Sequence, residues 1–296
     1  MPSTSLPGGT VAPVRPRVSH ALAAFALALL LGLQPATTDI YLPALPMLKQ
    51  ALGASMTATQ LTMSALILAF GLAQLFWGPV ADRVGRRPVL LWGLGLYTLA
   101  SAGAALAPNI EALVVWRVLQ GACLAAAVVV ARAIVRDLYE PHEGAQVMAL
   151  ALAGLGVIAI TGPVAGGVVA AHLGWRATLG LVAAVGTLTF AFVALRLPET
   201  LTQRNPQATA LRPLLAAWGT VARHRSFQAW ALLTACTYGG LFTTLAGSSF
   251  VYIGILGLSP SAYGLAMATG SGSYLLGTLV CRRWIAQHGM AGTVAR

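Results

Sequence analysis

The segment Gly78-Pro79-Val80-Ala81-Asp82-Arg83-Val84-Gly85-Arg86-Arg87 sets one carboxylate and three guanidiniums into a short bend between two long apolar runs. A bend so charged can favour a helix end, reach lipid phosphates or a neighbouring helix end, or simply set the topology as a basic loop. Gly78-Pro79 is expected to end one helix. Pro88 suits the first turn of the next, where its missing N–H costs nothing, with Asp82 near that helix's positive end. Two more charges lie where apolar residues dominate. Arg117 and Gln120, three residues apart, share one face of a helix. Asp39, in Thr37-Thr38-Asp39-Ile40-Tyr41, is the one acidic residue within an apolar run. A charge inside a membrane span costs about 2.5–3.5 kcal/mol on insertion scales, so Arg117 is expected to face inward beside a partner. Helical rise puts Arg117 about 9 Å in from Glu111 and Asp39 about 10 Å before Pro46. These similar depths make Asp39 the natural partner. Low dielectric opposes a carboxylate's charge while a neighbouring guanidinium favours it, and that contest would make Asp39 proton-responsive. Two blander readings stay open: Arg117 reaching the outer headgroups, and Asp39 satisfied by backbone and the Thr38 hydroxyl.

The elements that must carry these residues are set by composition. Of 296 residues, 57% are hydrophobic and 8% charged, against about 25% charged in soluble domains. Lipid must therefore be the solvent for most of the chain. Eight runs approach the roughly 20 residues needed to cross a bilayer: 19–47, 58–77, 88–107, 112–135, 145–171, 174–195, 227–256 and 262–281. They lack the polar–apolar alternation of barrel strands, so the fold class is all-α integral membrane. With the N-terminus in the cytoplasm, fifteen of the eighteen Lys and Arg residues fall inside, Lys49 and Arg176 fall outside, and Arg117 stays within a span. That is a strong positive-inside bias. The net charge of +11 comes from short clusters with no continuous basic face, which argues against nucleic-acid binding. Cys123, Cys236 and Cys281 sit in or beside apolar runs without close spacing, so neither a disulfide framework nor a metal site is expected. The run after Arg15 and Arg17 lacks a clean cleavage site and reads as a retained first helix.

The fifth run carries Thr161-Gly162-Pro163-Val164-Ala165-Gly166-Gly167. Gly162 and Gly166 are four apart, as are Pro163 and Gly167. Such a stripe admits a close neighbour, and Pro163 can kink the helix. The bend at 78–87, the string Arg117-Val118-Leu119-Gln120-Gly121 and this stripe resemble motifs A, B and C of the major facilitator superfamily, in order and on the expected helices. The segment around Asp39 and residues 248–264 are similar to the Bcr/CflA drug-resistance subfamily of drug:proton antiporters. The resemblance covers about residues 19–290. It implies a major-facilitator-type helical bundle that exports small drugs by proton antiport through alternating access. It further implies proton coupling at Asp39 and Arg117, a cavity lined by Gln34, Tyr41, Gln120 and Tyr238, and a cytoplasmic gating motif of Gly78, Asp82, Arg83, Gly85, Arg86 and Arg87. Gly162, Pro163, Gly166 and Gly167 would form the helix-packing antiporter motif. A bacterial inner membrane, a monomer, small-molecule drugs, protons and the lipid bilayer as partners, and no cofactor complete the expectation.

The family has twelve helices and this sequence shows eight, which reads as a truncated chain. The expected organisation is a cytoplasmic tail over 1–18, a six-helix domain over 19–196, a cytoplasmic linker over 197–226, and two helices of an incomplete second domain over 227–296. The linker segment 211–222 could form an amphipathic helix on the cytoplasmic face. Alternatives are a metabolite exporter or importer of the same fold, and an inactive truncated chain. A membrane enzyme is disfavoured, because the five histidines are scattered and no Ser-His-Asp or HExxH arrangement occurs.

Overall fold

The computed structural model describes residues 19–294, with some side chains from 274 onward outside that description; the tail expected over 1–18 also lies outside it. The described chain is helical throughout its long elements. Ser19 opens α1 (His20–Asp39) by accepting from the Leu22 N–H at 3.3 Å. A 3-10 turn, Leu42–Ala44, and the short α2 (Leu45–Ala51) prolong this first span. Ser55 and Asn109 cap α3 (Met56–Val84) and α5 (Ile110–Leu138) in the same way, each satisfying a backbone donor that the first helical turn leaves open. Between them lies α4 (Arg86–Ala105). There follow α6 (Pro141–Arg196), α7 (Leu211–Arg223), α8 (Arg225–Ser249), a π-helical segment Phe250–Ile255, and α9 (Pro260–Val294).

Six of these stretches among the described residues are long and apolar enough to cross a membrane. The 56-residue α6 accounts for two expected runs. At about 1.5 Å per residue it far exceeds a bilayer, and Gly174 breaks it with φ 82° and ψ 177°. The eighth expected run falls within α9. One boundary differs from expectation. Gly78-Pro79 does not end α3, which continues to Val84 with Pro79 inside it. A proline removes a single backbone donor, and the turn beyond it is held by ion pairs at Arg86.

α3 packs on α5, α1 on α6, α4 on both α5 and α6, and α9 on α6. Two apolar clusters fill the bundle. One joins α1, α4, α5 and α6 through residues such as Leu27, Leu90, Leu124 and Val182. The other gathers Tyr41, Leu45, Met63, Leu113, Trp175, Leu179 and Tyr263. Large apolar side chains such as Leu68, Trp92, Leu188 and Leu195 point outward, the surface expected of a chain solvated by lipid. Within the linker, α7 sets Leu211, Leu215 and Val221, all exposed, on one side, with Arg212 and Arg223 on the other.

Candidate functional site

Arg117, on α5, is fully buried. Its Nη1 donates to Gln120 Oε1 at 2.8 Å, and its guanidinium carbon lies 3.7 Å from the centre of the Tyr41 ring. Such stacking recovers part of the cost of removing a cation from water. The Arg117 Nε and Nη2 have no hydrogen-bond partner among the described residues. Tyr41 follows directly on α1, and its hydroxyl shares a 2.9 Å hydrogen bond with Thr62 Oγ1 of α3. Three of the residues named from sequence, Arg117, Gln120 and Tyr41, thus share one polar island inside the bundle.

Asp39 ends α1 half-buried and accepts from Thr38 Oγ1 at 2.8 Å. The expected Asp39–Arg117 ion pair is not formed. The reason is local: α1 ends at Asp39, and the turn after it swings the Tyr41 ring over the guanidinium in the carboxylate's place. Gln34 lies half-buried five residues earlier on α1. Tyr238 is not brought to this island. It is 56% exposed on α8 and packs beside Phe242.

The small-residue stripe has a clear steric role. A Cβ on Gly166 would lie 2.7 Å from Ile40 Cα, closer than real contacts permit. Gly162 sits against Asp39 Cβ and Ile40. Gly167 faces α9, where a Cβ would meet the Pro260 carbonyl at 2.5 Å, and Ser261 Oγ donates to the Gly167 carbonyl at 3.4 Å. Pro163 stays inside α6 and its backbone packs against Gly264. The stripe therefore lets α6 touch α1 on one side and α9 on the other.

At the opposite end, the charged bend is a compact ionic cluster. Arg86 is buried and bridges two carboxylates, donating to Asp137 Oδ2 of α5 at 2.8 Å and to Asp82 Oδ1 of α3 at 2.5 Å. Asp82 thus serves Arg86, and the α4 N-terminus is capped by Glu199. That carboxylate, just past α6, accepts from the Arg86 and Arg87 N–H groups at 3.0 and 3.2 Å, and from its own Thr200 and Leu201 N–H groups at 2.9 and 3.0 Å. Gly85 is the single residue between the two helices. Its φ of 120° favours glycine, and a Cβ there would lie 2.5 Å from Glu199 Oε2. Arg87 donates to the Ala194 carbonyl at 2.8 Å and Arg83 to Thr209 Oγ1 at 2.6 Å, while the Asn205 N–H bonds the Asp82 carbonyl at 2.9 Å. Gly78 makes only an ordinary 3.8 Å approach to Val129. Asp137 and Glu199 were missed by sequence reasoning. Asp137 ends a helix like any surface acid, and no local pattern connects Glu199 to a bend more than a hundred residues earlier.

A family model described as the Major Facilitator Superfamily matches residues 24–295. The uncharacterized MFS-type transporter YdgK of Bacillus subtilis is 34% identical over 261 residues, covering 86% of this chain and 65% of that protein. The chloramphenicol resistance protein of Pseudomonas aeruginosa is 34% identical over 233 residues, covering 78% of this chain and 54% of that protein. The chain thus spans between 54% and 65% of the length of these relatives. Among solved structures, a bacterial homologue of the human lysosomal transporter Spinster superposes with a TM-score of 0.71 at 18% identity, over 90% of this chain and 64% of that one. At that identity the likeness concerns the fold.

Proposed function

This chain belongs to the Major Facilitator Superfamily, and from that premise we propose that it serves proton-driven export of small drugs across a bacterial inner membrane, with its N-terminus in the cytoplasm. The observation that carries the reading is a fully buried arginine in the middle of a membrane bundle, stacked on Tyr41 and paired with Gln120. A cation held there at such cost marks a pathway for charge or substrate. Asp39, the acid at the end of α1, is the group that takes and releases the proton. Gln34, Tyr41 and Gln120 line the path. The named chloramphenicol-resistance relative supports the Bcr/CflA branch and a small, amphipathic substrate.

The cluster around Arg86 is the cytoplasmic gate. It holds three helices through one guanidinium, so opening must exchange those ion pairs for water or lipid phosphate. The drive is adequate: moving one charge through 100 mV supplies about 2.3 kcal/mol. The six spans up to Arg196 form one unit, and the linker expected over 197–226 joins it to α8, which begins two residues early at Arg225.

The test is reconstitution in liposomes with a fluorescent reporter of internal pH. Adding chloramphenicol should drive proton movement that Asp39→Asn abolishes. Drug movement that persists in Asp39→Asn with its pH dependence intact would remove the proton role, and no drug movement at all would overturn the export reading. Thiol labelling that found the Arg83–Arg87 bend outside the cell would overturn the orientation.

A further inference from the structure

Asp39 and Arg117 do not touch, yet a run of hydrogen bonds leads from one helix to the other through a residue no sequence motif marks. Each proton in it has an assigned direction. Arg117 can only donate, so Gln120 Oε1 accepts from it and the Gln120 amide nitrogen faces the other way. That nitrogen donates to Ser101 Oγ at 2.7 Å, and Ser101 in turn donates to the Tyr97 carbonyl at 2.7 Å. On α1, Thr37 gives its single hydroxyl proton to the Leu33 carbonyl at 2.5 Å. Its 2.6 Å contact with the Tyr97 hydroxyl must then be donated by the tyrosine. Tyr97 thus meets α1 through its hydroxyl and the Ser101–Gln120–Arg117 run through its own carbonyl. Tyr97, Thr37, Ser101, Gln120 and Arg117 all have essentially no solvent exposure. The ring has little freedom, since a Cβ on Gly186 of α6 would already lie 2.7 Å from its Cε1.

We propose that Tyr97 is a positioning residue, linking the end of α1, two residues before Asp39, to the Arg117–Gln120 pair. The proposal deepens the antiport reading and rests on it for its functional meaning. An aromatic ring in this place needs no hydroxyl for packing. The hydroxyl is there because Thr37 Oγ1, its own proton given to the Leu33 carbonyl, would otherwise be a buried acceptor without a donor across the helix contact. A displacement of the α1 end then reaches Arg117 through Thr37, Tyr97, Ser101 and Gln120 with no ion pair between the two charges.

The test uses the 296-residue chain in lipid nanodiscs, labelled with ¹⁵N-arginine. The Arg117 side-chain resonance is identified by its loss in Arg117→Lys. Tyr97→Phe and Thr37→Val should each shift that resonance, the double variant should shift it no further than the larger single change, and Thr37→Ser, which keeps the hydroxyl, should leave it at the parent position. A Tyr97→Phe resonance unmoved while the melting temperature falls would show a ring that only packs, and overturn the proposal. Identical spectra for Thr37→Ser and Thr37→Val would overturn it as well. The resonance needs no substrate, so it decides the role of Tyr97 separately from the transport assay that decides antiport.

Discussion

Replacing Glu199 with glutamine tests how the charged bend is held together. In the parent, one carboxylate oxygen accepts from Arg86, Thr200 and Leu201 N–H groups and the other from Arg87. The glutamine oxygen can keep the first three. Its NH₂ group then faces the Arg87 N–H, and two donors oppose each other. Losing a charge at a helix N-terminus costs about 0.3–1 kcal/mol, and stranding a donor costs about 1–3 kcal/mol. Glu199 is half-buried, so water offsets part of the second loss and the total should be about 1.5–3 kcal/mol. For a chain of this size that corresponds to a fall of roughly 4–10 °C in melting temperature, measured on the protein in detergent micelles. Glu199→Ala, which leaves the Arg86 and Arg87 donors without any side-chain acceptor, should fall further. A glutamine variant within about 1 °C of the parent, or one equal to the alanine variant, would refute the capping argument.

Other substitutions carry distinct expectations. Gly85→Ala combines a strained φ with a clash against Glu199 and should destabilise by about 1–3 kcal/mol, with Glu199→Ala relieving part of that loss in the double variant. Arg86→Ala strands the Asp137 carboxylate, so a denaturation cycle with Asp137→Asn should show a coupling of about 1–3 kcal/mol. Gly166→Ala forces α6 away from Ile40 and should cost about 1–3 kcal/mol in the same melting assay, whereas Gly180→Ala, which meets nothing within 4 Å, should be neutral or slightly stabilising. Arg117→Lys keeps the charge but loses the flat stack on Tyr41, and should abolish most drug-driven proton movement in liposomes while the protein stays folded.

Patterns within one helix were legible from the chain alone. Arg117 and Gln120 share a face because three residues nearly complete a turn, and that relation survives any packing. The small-residue stripe at 162–167 announced a close crossing for the same reason. What each stripe or charge would meet was not legible. Tyr41 took the place expected of Asp39 because the chain turns immediately after the carboxylate. Pro79 stayed helical because Arg86, paired with Asp82 of α3 and with Asp137 of the distant α5, secures the turn beyond it. Glu199 and Tyr97 became visible only when the fold brought residues 86 and 37 beside them, and a tyrosine in a span otherwise reads as packing. Tyr238, chosen for its position in the seventh span, faces outward because α8 is covered by little else.

The stitching of the linker limits how freely the seventh span can swing. Residues 199, 205 and 209 are all fastened to the bend at 82–87, and α7 alone fills most of the way from Thr209 to the start of α8. A thirteen-residue helix is about 20 Å long, while the same thirteen residues run out as extended chain would reach about 45 Å. The leash is short, and its knots are the Asp82 carbonyl and the Arg83 guanidinium, so a tug from α8 would load the ionic cluster at the bend before any slack was taken up.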